Sequence, residues 1–169
     1  MENVKIAVKL ITPDPQATTA LNAIKDMRLQ LPPLKLHRYD LWQFDVSSGG
    51  EETVAELVGH FTDIVNPNKQ SWAFYKEENS FPEEDKELKW ISIFVQDRKS
   101  SKSSNWTYLV KRRGFPIESL NYGVLWRFGY LIDTDDALVE KMALELAVSN
   151  SRTGGLLSNP VSQEVSLWN

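Results

Sequence analysis

Two hydrophobic periods take turns along this chain. From Val4 to Ile11 the period is two: Val4, Ile6, Val8 and Leu10 fall on one face, Lys5, Ala7 and Lys9 on the other. That is the pattern of a strand with one buried face. Thr12-Pro13-Asp14-Pro15 interrupts it, because each Pro fixes φ and biases the residue before it toward extended conformations. Pro15 suits the first turn of a helix, with Asp14 as its N-cap. Ala17, Ala20, Leu21, Ile24 and Met27 or Arg28 follow at helical spacing, which predicts a helix to about Met27. Pro32-Pro33 blocks its continuation, and Leu34 to Val46 reads as a second strand. Ser47-Ser48-Gly49-Gly50 is a turn. Glu51-Glu52 opens a second helix, where the dipole favours acids. Its apolar stripe is Val54, Leu57, Val58, Phe61 and Ile64, and Asn66-Pro67 is its stop. Gln70 to Tyr75 reads as a short closing strand.

Residues 76–88 are acidic, with little to bury, and read as a linker. Beyond them the alternation of periods restarts. Trp90 to Val95 is a strand, the Ser- and Lys-rich stretch Ser100 to Ser104 a loop, and Trp106 to Arg112 a helix ending near Gly114. Leu120 to Ile132 is a long strand. Asp133-Thr134-Asp135 caps a helix through about Val148. Arg152-Thr153-Gly154-Gly155 is a loop, and Val161 to Trp168 a last strand. Each half therefore predicts strand–helix–strand–helix–strand.

The halves also share words. Tyr39-Asp40-Leu41-Trp42-Gln43-Phe44 is echoed by Tyr122-Gly123-Val124-Leu125-Trp126-Arg127-Phe128, with one extra residue after the Tyr. Behind each comes an acidic helix start, Glu51-Glu52 and Asp135-Asp136, and behind each helix an Asn-Pro, Asn66-Pro67 and Asn159-Pro160. The offsets are 122 − 39 = 83, 126 − 42 = 84 and 159 − 66 = 93. They drift as loops drift, while the order of features holds, as a duplicated unit requires. The expected organisation is a first repeat over 1–75, an acidic linker over 76–89 and a second repeat over 90–169. Half-buried strands favour a sheet with helices on one face. One unit of ~75 residues has a thin core, so two copies are expected to pair their sheets. The expected fold class is α+β: two ferredoxin-like units related by a pseudo-two-fold axis, with antiparallel sheets and helices packed on one face.

Composition narrows the function. The chain has 169 residues, enough for one ordinary domain or two small units sharing a core. No apolar run approaches the ~20 residues of a membrane span. Met1-Glu2-Asn3-Val4-Lys5 enters a strand directly, without a signal-peptide core. These features fit the cytoplasm. The absence of Cys excludes disulfides, thiolate metal sites and Cys nucleophiles. Formal charge is −2 over residues 1–75 (seven Lys/Arg, nine Asp/Glu), −3 over 76–90 (three, six) and +1 over 91–169 (nine, eight). None of these has the basic excess of a nucleic-acid binder.

Candidate chemistry is sparse. His37 lies on a strand and His60 on a helix, and neither has metal-ligand spacing. Glu51-Glu52 and Asp135-Asp136 are conceivable acid–base pairs, but at helix starts acids serve the dipole. Gly-x-Gly-x-x-Gly and Walker loops are absent, and the Gly pairs at 49–50 and 154–155 are turns. The one basic concentration is Arg98, Lys99, Lys102, Lys111, Arg112 and Arg113. It suits phosphates or an acidic partner surface, or else a solvated loop and a helix C-terminus. Trp42 and Trp126 fall within strand patterns and are expected to pack. Trp72, Trp106 and Trp168 lie nearer element ends, where Trp often serves interfaces.

With these residues in place the chain resembles two fused copies of PurS, the small subunit of phosphoribosylformylglycinamidine synthase. That family has Asp-Pro-Gln-Gly before its first helix; Asp14-Pro15-Gln16 matches, with Ala17 in place of Gly. Its Gly-Phe after the first helix is matched by Gly114-Phe115 in the second copy. Its Leu-Leu-x-Asn-Pro-Val, followed by Glu, is matched by Leu156-Leu157-Ser158-Asn159-Pro160-Val161 and Glu164, and in part by Ile64-Val65-Asn66-Pro67. The family's Arg-x-Gly-Lys in the second strand is missing from both copies. The resemblance covers nearly the whole chain outside the linker.

The resemblance implies a non-catalytic subunit bridging synthetase and glutaminase subunits in purine biosynthesis. No cofactor would bind this chain, and ATP and Mg would bind the synthetase. A fused pair would act as a monomer mimicking a PurS dimer, without nucleic-acid or membrane partners. The implied partner contacts are Asp14, Pro15 and Gln16, the basic loop Arg98, Lys99 and Lys102, and Asn159-Pro160. Two other readings stand beside it. One is a ferredoxin-like small-molecule binding protein or enzyme, with Tyr39, Trp42, Tyr122 and Trp126 lining an aromatic cleft and His37 as its base. The other is a generic interaction module.

Overall fold

The computed structural model describes residues 1–76, 81, 84–98, 101–148, 157–158 and 162–168. The side chains of residues 101 and 102 also lie outside that set. In chain order the elements are β1 (Glu2–Leu10), α1 (Pro15–Asp26), β2 (Lys35–Val46), α2 (Gly50–His60) and β3 (Gln70–Phe74). They are followed by β4 (Leu88–Asp97), α3 (Ser101–Arg112), β5 (Ile117–Leu131), α4 (Asp136–Ala147) and β6 (Gln163–Trp168). Over the described residues the fold is α+β, with four helices and a six-stranded antiparallel sheet in the order β3-β1-β2-β5-β4-β6. A ferredoxin-like type is compatible with it. None of the described helices is long and apolar enough to cross a membrane.

The caps follow the sequence. The Asp14 carboxylate accepts the Gln16 N–H at 2.8 Å, and Pro15 opens α1. Asp135 accepts the Leu138 N–H at 3.0 Å to open α4. Two expected helices differ. Helix α2 stops at His60, because Phe61 turns extended (φ −121°, ψ 90°) and its carbonyl takes the N–H groups of Ile64 and Val65. Ile64 and Val65 are buried all the same, from a turn rather than a helix. Helix α3 begins at Ser101, so residues 101–104 of the expected loop Ser100 to Ser104 form its first turn. Serines resist helix interiors but suit helix starts, and Ser103 is buried there.

The compact units cut across the order of the chain. The first comprises Met1–Thr12, Asp40–Ser80 and Lys99–Gly123. Its core joins Val4, Ile6 and Val8 of β1 to Trp42, Phe44 and Val46 of β2, Leu57 of α2, Val110 of α3, and Ile117 and Leu120 of β5. The second comprises Pro13–Tyr39, Phe81–Arg98 and Val124–Asn169. Its core joins Ala17, Ala20 and Ile24 of α1 to Ile93 and Val95 of β4, to Trp126, Phe128 and Tyr130 of β5, and to Val139 and Ala143 of α4. Thus α1 is packed on strands from the second half of the sequence and α3 on strands from the first.

Strand register explains which residues of the repeated motif are comparable. Trp42 lies opposite Ile6, and Trp126 opposite Ile93. Leu41-Trp42-x-Phe44 and Leu125-Trp126-x-Phe128 keep a constant offset of 84. The leading Tyr residues do not, and in a strand one residue of slip changes the face. Tyr122 packs on Trp42 at 4.6 Å in the first unit's core. Tyr39 packs on Phe81 at 4.5 Å in the second unit, outside the cluster that holds Leu36.

Candidate functional site

The most elaborate polar arrangement lies in the second unit, on the face of β4 and β5 that alternates with the helix-packed one. Trp126 and Phe128 point into the core with α1 and α4. Arg127, between them, must point the other way. There it is buried, opposite Ser92 in register. Its guanidinium donates from all three nitrogens: Nε to Glu84 Oε1 at 3.0 Å, Nη2 to Glu84 Oε2 at 2.6 Å and Nη1 to Ser92 Oγ at 2.6 Å. The side chains of Arg127 and Glu84 are each 6% exposed. The Phe81 ring stands 4.8 Å from the guanidinium carbon and Trp90 5.9 Å.

More contacts fix the same segment. Trp90 Nε1 donates to the Asp85 carbonyl at 2.8 Å, and Asp85 accepts from Lys35 at 3.3 Å and from the Glu87 N–H at 2.9 Å. The Glu87 bond, then Lys35, holds the Asp85 carboxyl below its usual range. The Trp90 ring lies over Gly129, where a Cβ would stand 3.0 Å from it. His37 packs against Trp90 at 5.0 Å, with Nδ1 3.9 Å from Glu84 Oε1. A bidentate Arg–carboxylate pair of this kind is a strong, directional lock. Its nitrogens being occupied by Glu84 and Ser92, it anchors chain rather than receiving an anion.

This anchor corrects the expectation that residues 76–88 bury little: Phe81 and Glu84 are buried, and β4 starts at Leu88, within the expected linker. A signal for it existed. Arg127 sits in an apolar strand between Trp126 and Phe128, and a charge placed there requires a buried partner. Residues 76–90, with six acids against three bases, are one supply of carboxylates in excess, and Asp133, Asp135 and Asp136 another.

The expected partner-contact residues fall in separate places. Asp14 is half-buried as the cap of α1 and lies 3.7 Å from Arg38; Pro15 and Gln16 are exposed beside it. Arg98 is exposed, its N–H bonded to Ser162 O at 2.8 Å and its Nε to Gln163 O at 3.1 Å, which ties the end of β4 to β6. Lys102 belongs to α3 rather than to a basic loop, and its side chain lies outside the described residues. So do Lys99, Asn159 and Pro160. Among the described residues no hydrogen bond or ion pair joins Arg98 to the Asp14 corner.

The other candidates are absorbed by structure. Glu51 pairs with Lys76 at 2.7 Å, and Asp136 with Lys89 at 2.6 Å. His60 ends α2, exposed, with its ring 5.9 Å from Phe115. The four rings expected to line a cleft pack instead within cores or on neighbours: Trp42 with Tyr122 and Trp106, Tyr39 with Phe81 and His37, and Trp126 under Arg38. Trp72 and Trp106 pack against the first core, and Trp168 on Phe94 at 4.8 Å. Among the described residues no group of three or more His, Asp or Glu is arranged to hold a metal ion. No protein-family model matches the chain, and no curated protein sequence matches it.

Proposed function

We propose that the chain is a non-catalytic assembly subunit, a fused pair of PurS-type units that brings together the synthetase and glutaminase of a phosphoribosylformylglycinamidine synthase. The observation that carries this reading is the doubled order β-α-β-α-β, with Leu-Trp-x-Phe placed opposite Ile6 in one half and opposite Ile93 in the other. On this reading the halves are diverged duplicates, 1–75 and 90–169, related by a pseudo-two-fold axis, and the monomer takes the part of a dimer. The Asp14–Gln16 corner supports it further, since Pro15 and Gln16 stand exposed where the family's loop would meet a partner. ATP and Mg then belong to the synthetase, and the complex to the cytoplasm.

The test is reconstitution. Synthetase and glutaminase subunits from the same source are assayed for glutamine-dependent amidotransfer with and without this chain. Activity that requires the chain is the expected result. Unchanged activity, or hydrolysis of glutamine or ATP by the chain alone, would overturn the reading.

A further inference from the structure

Helix α3 stands apart from the other helices in charge. It carries Lys102, Lys111 and Arg112 and no acid, formally +3, in a chain of −4. By contrast α2 carries Glu51, Glu52 and Glu56, and α4 carries Asp136, Glu140 and Glu145 against Lys141. The rotation of α3 about its axis is fixed. Trp106 and Val110 pack in the first unit's core, and Thr107 Oγ1 donates to the Ser103 carbonyl at 2.8 Å while accepting the Leu120 N–H at 3.1 Å. Asn105, Tyr108, Leu109 and Arg112, at i, i+3, i+4 and i+7, therefore share the outward side. Tyr108 is 63% exposed and Leu109 43%.

Basic residues at a helix C-terminus ordinarily complement its dipole, but the carbonyls of Leu109, Val110 and Lys111 are already satisfied by backbone. Gly114, at φ 88°, gives its N–H to Lys111 O at 2.9 Å; Phe115 gives its to Val110 O and Arg113 its to Leu109 O. This is a Schellman ending. Lys111 pairs with Glu118 at 3.1 Å, whereas Arg112 and Arg113 make no ion pair among the described residues. The dipole also leaves unexplained why a Tyr and a Leu stand in water beside them.

We infer that the outward face of α3 is a protein-docking surface, and that its partner presents carboxylates around an apolar slot. Tyr and Arg are the side chains that most often dominate such contacts, and Arg112 and Arg113, exposed and without an ion pair among the described residues of an acidic chain, steer an acidic partner to this place. A nucleic acid fits less well, because Leu109 offers nothing to a phosphate and the rest of the chain repels one. The inference rests on the assembly reading only for the partner's identity, one of the two enzyme subunits.

Tyr108→Ala and Arg112→Glu, both at exposed positions, are compared with wild type and with Lys141→Glu on the exposed side of α4, after melting curves establish that all are folded. Each is titrated with the synthetase, the glutaminase, a labelled peptide alternating Glu with Leu and Phe, and a ten-residue oligouridylate. The expected result is binding of one subunit and of the peptide that weakens about tenfold or more in the two α3 variants, weakens with salt, and is unchanged in Lys141→Glu. A subunit that binds all variants alike would overturn the inference and leave the assembly reading standing. If neither subunit binds wild type but the peptide still separates the variants, the assembly reading fails and the docking face remains. Peptide binding that ignores the α3 substitutions, or oligouridylate binding that they abolish, would overturn the docking inference.

Discussion

Removing Glu84 should unfold more than its place outside any helix or strand suggests. Glu84→Ala deletes both acceptors of the bidentate pair and leaves Arg127, with its side chain 6% exposed, as a buried unpaired charge. Breaking one partner of such a pair costs about 3–5 kcal/mol, a large part of the roughly 5–15 kcal/mol that holds a domain folded. Glu84→Gln keeps the shape and one acceptor and should cost about 1–3 kcal/mol. Replacing both, Arg127→Met with Glu84→Met, removes the desolvation of two ions together with their attraction, so the double variant should be far more stable than the sum of the single losses. With Arg127→Met and Glu84→Met made singly to close the cycle, urea unfolding followed by circular dichroism and by Trp fluorescence measures all six proteins, and coincident curves license the comparison. A buried pair is screened little, so the differences should persist from low to high salt. A Glu84→Ala variant within about 0.5 kcal/mol of wild type, the range of ordinary surface changes, would refute the reasoning. So would strict additivity in the cycle.

Three further outcomes follow from the same structure. Tyr130 is fully buried, its hydroxyl has no hydrogen-bond partner among the described residues, and burial raises its pKa; a raised acid pKa means stability is lost as pH climbs above the unfolded value near 10, so Tyr130→Phe should match wild type at neutral pH and resist alkali better in a pH-dependent melt. Asp45 is held below its usual range by Ser119 and then Asn3; its contribution is present above the unfolded value and lost as pH falls through the folded one, so Asp45→Asn should destabilise at neutral pH and flatten the acid limb below about pH 4, and an unchanged acid limb would count against it. Because each compact unit draws on both halves, separately expressed halves divided at the connection after residue 76 should lack cooperative unfolding alone and regain it on mixing, as calorimetry would show; a half that melts cooperatively by itself would contradict this.

Local signals were the most legible. The caps at Asp14 and Asp135, the first-turn acids and Gly114 at the end of α3 are all governed by chemistry within a few residues. The strands were legible from period two. What escaped the sequence depended on distant partners. The serines at 101–104 looked like loop because their helix is fixed by Trp106 and Val110 packing and by the Thr107–Leu120 bond, none of which is local. The end of α2 was overextended because Ile64 and Val65 are as buried in a turn as they would be in a helix. The anchor is only half legible: Arg127 in an apolar strand asks for a buried partner, but nothing local says which distant carboxylate answers it. The leading Tyr of the repeated motif misled for a geometric reason: a one-residue offset is trivial in text and a change of face in a strand.

The placement of α1 bears on how the chain is made. Its apolar side, Ala17, Ala20 and Ile24, meets Leu36 of the nearby β2 but finds most of its strand partners in β4 and β5. A ribosome that has finished α1 at Asp26 must add 131 − 26 = 105 residues before β5 is complete. At about 5–20 residues per second that is roughly 5–20 s, during which the helix has little beyond Leu36 of β2 to cover it. A nascent chain in that state is a natural client for a holding chaperone, and slow codons between α1 and β4 would lengthen its exposure.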